Sequence, residues 1–96
     1  MVMTVLEAQV AADRADDLEA EFREVQVPPE ILHTYLVRDA RESTRYRIVT
    51  VWESQEALQA MRASGEKPKG VEMFEAVGAA AELSIFDIIA HHRPGS

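Results

Sequence analysis

His33 and Tyr35 stand two residues apart in the apolar, β-type run from Ile31 to Arg38, so a strand there places an imidazole and a phenol on one face. With Trp52 and Phe74 nearby in the fold derived below, such a pair inside an apolar cavity would orient a phenolic compound. His33 would take the phenol's proton, histidine being the side-chain type whose charge changes near neutral pH. Deprotonating a phenol or quinol is the first requirement of an oxidation by dioxygen without a cofactor, because only the electron-rich anion passes an electron to dioxygen. The same spacing also suits two strand residues at a dimer interface or open to solvent, since parity does not tell which face they occupy. Trp52 has two compatible readings as well. It is a large core residue anchoring the helix that follows, and its ring is a candidate pocket wall for a flat ligand.

Other chemistry is excluded more firmly. The chain has no cysteine, which removes disulfides, thiolate catalysis and thiolate metal sites and fits a reducing cytoplasm. Gly65 and Gly70 have the glycine spacing of a phosphate-binding loop, but Val71 and Glu72 replace its Lys-Ser/Thr. His91 and His92 are adjacent, so a strand would point them to opposite faces, and no metal site is expected. No Gly-x-Ser-x-Gly elbow is present. A net charge of −7 opposes binding to nucleic acid or anionic lipid. No apolar run reaches the roughly 20 residues that span a bilayer, and no signal-peptide pattern opens the chain, so a cytoplasmic protein with no membrane contact is expected.

The elements that must position these residues follow from hydropathy periods. Met1 to Val10 reads as a strand. Ala11 to Val27 has Ala15, Leu18, Phe22 and Val25 at helical spacing, with Asp13 placed as its cap and Pro28-Pro29 ending it. Two strands follow, Ile31 to Arg38 and Arg45 to Trp52, joined by the polar stretch Asp39 to Thr44. Ser54 caps a helix to about Ser64, Gly65 to Gly70 reads as a loop, and Val71, Phe74 and Val77 mark a short helix ending near Gly78. Glu82 to His91 reads as the last strand, with Asp87 expected to pair with Arg45 or Arg47. The order predicts an α+β fold, a ferredoxin-like βαββαβ four-stranded antiparallel sheet with helices on one face. One domain over residues 1–93 and a tail at 94–96 are expected. Both strands of the Ile31 to Trp52 hairpin are apolar on both sides, whereas an antiparallel sheet covered once alternates more cleanly. Helices would cover one face and a second copy the other, giving a homodimer through the sheet.

The run from Tyr46 to Leu58, YRIVTVWESQEAL, followed by a helix, a Gly/Lys/Pro loop and a Phe-bearing short helix, resembles the antibiotic biosynthesis monooxygenase family over nearly the whole chain. The resemblance implies a dimeric α/β barrel that binds flat hydrophobic molecules between sheet and helices. Some members oxidise polycyclic phenols or quinols with dioxygen and no cofactor, and others bind and break down haem. The chain contains no asparagine. In the quinol-oxidising pattern that residue falls at Ile48 and a tyrosine at Leu58; in the haem-degrading pattern a second tryptophan falls at about Met61 and a ligating histidine at about Val71. Lacking the last two, the chain is expected to use no haem. The implied function is a cofactor-independent monooxygenase acting on an aromatic, quinol-like or polyketide-like compound. Trp52, Ile48, Leu58, Met61 and Phe74 would bind the substrate, and His33 and Tyr35 would handle the proton. The alternative is a non-catalytic small-molecule-binding or accessory dimer, in its extreme form with Leu58, Met61 and Phe74 filling the space between sheet and helix.

Overall fold

The structure, a computed structural model, describes residues 1–95. Four strands, β1 (Val2–Gln9), β2 (Ile31–Arg38), β3 (Arg45–Trp52) and β4 (Glu82–Asp87), form one antiparallel sheet in the order β2-β3-β1-β4. Helices α1 (Ala15–Glu24), α2 (Gln55–Ala63) and α3 (Lys69–Ala76) complete it. This is the ferredoxin-like α+β fold that the element order predicts.

Strict alternation in β1 and β3 builds the helix-covered face. Val2, Thr4, Leu6 and Ala8 of β1 lie opposite Trp52, Thr50, Ile48 and Tyr46 of β3, and all eight are buried. Leu6, Tyr46 and Ile48 join Leu18 of α1 and Met73 and Phe74 of α3 in the main core. A separate cluster forms at the other end of the sheet, where Val2 and Trp52 pack on Leu58 of α2 with Ile31 and Met61 beside them. The opposite face carries Met3, Val5, Val49 and Val51, flanked by Tyr35, Val37 and Phe86. Of these, Tyr35, Val37 and Phe86 are exposed.

Several boundaries differ from expectation for local reasons. Asp13 does not cap α1. It sits in a 3-10 turn, Ala12–Arg14, and α1 begins at Ala15 with no side-chain cap. Arg14 ties the turn down instead, donating to Asp17 Oδ2 at 3.1 Å and to the carbonyl of Ala76 at 3.0 Å. A cation on a carbonyl of the last turn of α3 is favourable there. Ser54 caps α2 as expected, its hydroxyl accepting from Ala57 N–H at 3.1 Å. Residues Lys69 and Gly70, expected in a loop, open α3 behind Pro68. Gly70 allows the close approach: a Cβ there would lie 2.6 Å from Leu6 Cδ1. Gly78, with φ of +76°, ends α3 in the left-handed conformation that glycine adopts freely. The last strand stops at Asp87, not His91. Asp87 stands opposite Val2, at the far end of the sheet from Arg45 and Arg47, which pair with Glu7, Asp39 and Glu42. Pro94 and Gly95 lie in a turn, and Ser96 of the expected tail lies outside the described residues.

Candidate functional site

The two apolar clusters do not merge, and the gap between them is a cavity of about 250 Å³ between sheet and helices. Register explains the gap. The sheet row Ile31–Trp52–Val2 belongs to the smaller cluster, and the row Leu36–Ile48–Leu6 belongs to the larger. The row between them is Thr34–Thr50–Thr4. All three threonines line the cavity, with Trp52 and Leu58 to one side, Leu6 and Ile48 to the other, and Val25 to Pro28 closing over. Arg62, Glu66, Lys67 and Lys69, all exposed, stand at its mouth.

The floor is polar but internally bonded. Trp52 Nε1–H donates to Thr4 Oγ1 at 3.1 Å, and Thr34 Oγ1 and Thr50 Oγ1 share a hydrogen bond of 3.1 Å. Trp52 is 6% exposed, and Thr4 and Thr50 are each 8% exposed. Lys67 at the mouth is held by Glu75 at 2.6 Å, which raises its pKa above the ordinary lysine value, the Glu75 hydrogen bond first and its charge second. A second, larger hollow of about 470 Å³ lies at the other end of the sheet. Its walls mix Glu19, Arg38, Asp39 and Ser43 with Leu36, Val37 and Tyr46.

Trp52, Ile48, Leu58 and Met61 line the cavity, and Phe74 does not. Phe74 is 0% exposed and belongs to the main core, filled on all sides. His33 and Tyr35 do share a face, their rings stacked with centroids 6.1 Å apart and an angle of 18°. That face is the uncovered one, where His33 stands opposite Val51 and Tyr35 opposite Val49, and neither residue reaches the cavity. The reason is a β-bulge between Ile31 and His33. Ile31 lies against Trp52 on the helix side, and the extra residue, Leu32, shifts the phase, so that Thr34 and Leu36 face the helices and His33 and Tyr35 turn away. The threonines are the residues that sequence reasoning missed. A β-branched residue in a strand reads as a strand former, and only the recurrence of a hydroxyl at the same register of β1, β2 and β3 marks them out.

A small ferredoxin-like protein with a ligand-sized apolar cavity between sheet and helices is the class that this fold and site define. The chain belongs to the antibiotic biosynthesis monooxygenase family, whose model matches residues 1–74. No curated protein matches the sequence. Among solved structures, the haem-degrader MhuD of Mycobacterium tuberculosis, with two haems bound in its active site, is 26% identical with a TM-score of 0.70, covering 97% of this chain and 100% of that one. SnoaB of Streptomyces nogalater, a cofactor-independent oxygenase solved with an asparagine replaced by alanine, is 18% identical with a TM-score of 0.62, covering 94% of each chain. A Deinococcus radiodurans protein assigned to the same family is 12% identical with a TM-score of 0.73 over 100% of both chains. The last two show a shared fold.

The cavity does not fit haem. Among the described residues no histidine, cysteine or tyrosine lines it, so it offers haem no imidazole, thiolate or phenolate as axial ligand.

Proposed function

We propose that this protein is a cofactor-independent monooxygenase that oxidises a flat quinol-like or anthrone-like molecule of two or three fused rings in the cavity beside Trp52. The observation that carries the reading is the cavity itself. Trp52, Leu58, Met61, Ile48 and Leu6 offer apolar walls between sheet and helices, where the family resemblance implies that flat hydrophobic ligands are held. With an anthrone-type substrate, the ring methylene loses two hydrogens and gains one oxygen as a new carbonyl, and the second oxygen atom of dioxygen leaves as water. The substrate supplies all four electrons, so no external reductant enters.

The first step is loss of a proton from the substrate. The cavity floor has no carboxylate or imidazole, so the proton leaves through the mouth, where Glu66 stands beside water as an acceptor and Arg62 and Lys69 favour the anion left behind, Lys67 there being paired with Glu75. His33 and Tyr35 stand outside this scheme. The functional unit is a homodimer formed through the uncovered sheet face, where Val49, Val51, Met3 and Val5 are half-buried and Tyr35, Val37 and Phe86 exposed. Residues 1–93 act as one domain in a cytoplasmic protein.

The test is oxygen consumption by the purified, metal-free protein with a panel of hydroquinones and anthrones, comparing wild type with Trp52→Leu. Uptake above the spontaneous rate that falls in the variant supports the oxygenase. A floor without a titratable group favours a second reading, a dimer that binds such molecules without turning them over. Retained ligand with no uptake across the panel would establish that one.

A further inference from the structure

We infer that the hydroxyl row Thr34–Thr50–Thr4 is the oxygen-binding element of the cavity, holding a carbonyl or phenolate oxygen of the flat ligand. This rests on the reading of the cavity as a binding site for such molecules.

Hydrogen counting leads to it. Thr4 Oγ1 accepts the indole N–H of Trp52, so the hydrogen of Thr4 itself is not used in that contact. In the Thr34–Thr50 pair one hydroxyl donates and the other accepts, which uses one hydrogen of the two. Three hydroxyls side by side on three strands therefore keep two hydrogens for a further acceptor. Thr4 and Thr50 lie on β1 and β3, which are paired with neighbouring strands along both edges, while Thr34 lies on the edge strand β2. Thr4 and Thr50 are more than nine-tenths buried and line the cavity, so an acceptor for those hydrogens comes from whatever occupies it.

Position supports this as strongly as valence does. The row lies where the two apolar clusters part, and the walls on either side of it are apolar. A flat ring system lying between Trp52 and Ile48 therefore meets polar groups at one place along its edge. The resemblance puts the asparagine of the quinol-oxidising pattern at Ile48. Thr50 is two residues further along the same strand, on the same face and one register row away. A hydrogen-bond donor is thus retained in the cavity, shifted by one row and split over three strands. Donation to the substrate oxygen favours its ionised form, which is the form that reacts with dioxygen.

The experiment is equilibrium dialysis of naphthoquinone and of naphthalene against wild type and the double variant T34V/T50V, with thermal melts on both proteins. The two ligands share a ring system and differ in the oxygens, and valine keeps the shape of threonine. The expected result is a loss of about three- to tenfold in naphthoquinone affinity with naphthalene affinity unchanged. Equal changes for both ligands, or none, would overturn the hydroxyl row while leaving the cavity as the binding site. If neither ligand binds wild type, the cavity reading falls and takes this inference with it. Should the double variant melt early, the single variant T50V, read against the same ligand pair, decides the point.

Discussion

The indole N–H of Trp52 reaches diagonally across the sheet to the hydroxyl of Thr4, 3.1 Å away, although the residue directly opposite Trp52 is Val2. The bond fixes the ring over the boundary between the small apolar cluster and the threonine row, so one face of a core tryptophan becomes a cavity wall. Removing its acceptor leaves a buried donor unpaired. Thr4→Val is therefore expected to cost about 1–3 kcal/mol in urea melts. Trp52→Ala, which also empties the contacts with Val2 and Leu58, is expected to cost about 3–5 kcal/mol. A Trp52→Ala cost below about 1 kcal/mol would mean that the ring contributes little to the core.

Gly70 and Leu6 set a narrower test. A methyl at Gly70 would come 2.6 Å from Leu6 Cδ1 and 3.5 Å from Ile48 Cδ1, both at the cavity edge. Overpacking costs about 1–3 kcal/mol, while alanine in a helix gains about 1 kcal/mol over glycine. The nearest atom is the tip of a side chain with cavity space beside it, so the cost falls at the low end. Gly70→Ala should change stability by about 1 kcal/mol or less and weaken binding of a fused-ring ligand, because Leu6 yields into the cavity. Calorimetry alongside dialysis separates the two effects.

Asp39 predicts a pH dependence in the β2–β3 loop. Its Oδ1 accepts from Arg41 N–H at 2.8 Å and Glu42 N–H at 2.9 Å, and its Oδ2 lies 3.6 Å from Arg47 Nη1. The backbone bonds, that from Glu42 first and that from Arg41 second, hold the carboxyl below its ordinary value of 3.8, and Arg47 and Arg45 add to the effect. A depressed folded pKa contributes stability that is present above the unfolded value and is lost as pH falls through the folded one. Carbon-detected NMR titration should place the Asp39 carboxyl below the ordinary aspartate value of 3.8. Asp39→Asn should remove this contribution without disturbing the strands.

The fold was legible because two signals agreed. The β-branched and aromatic run from Arg45 to Trp52 reads as a strand although both of its sides are apolar, and Ser54 stops the strand and caps α2 in the same stretch. The site was legible only in its apolar half. Trp52, Ile48, Leu58 and Met61 follow from the family pattern, but the face of His33 and Tyr35 turned on Leu32, a bulge that β2 does not advertise because its residues are apolar on both sides. The threonine row was hidden for a different reason, since register between strands is a tertiary fact and each threonine alone reads as ordinary β structure.

The bulge at Leu32 also supplies the last prediction, because it separates two consequences of one substitution. His33 stacks on Tyr35 on the sheet face proposed for dimerisation, beside Val49 and Val51. His33→Ala should leave ligand affinity in the cavity and any oxygen uptake unchanged. Val49→Lys, which places a charge at the middle of that face, should shift the mass in light scattering from twice the 10.7 kDa of one chain to a single chain. Uptake abolished in His33→Ala while the dimer persists would return the imidazole to the chemistry and move the site to the uncovered face. A monomer mass for wild type at micromolar concentration would remove the dimer. Either outcome is decisive because the cavity and the uncovered face lie on opposite sides of one sheet, and a side chain on β2 serves only one of them.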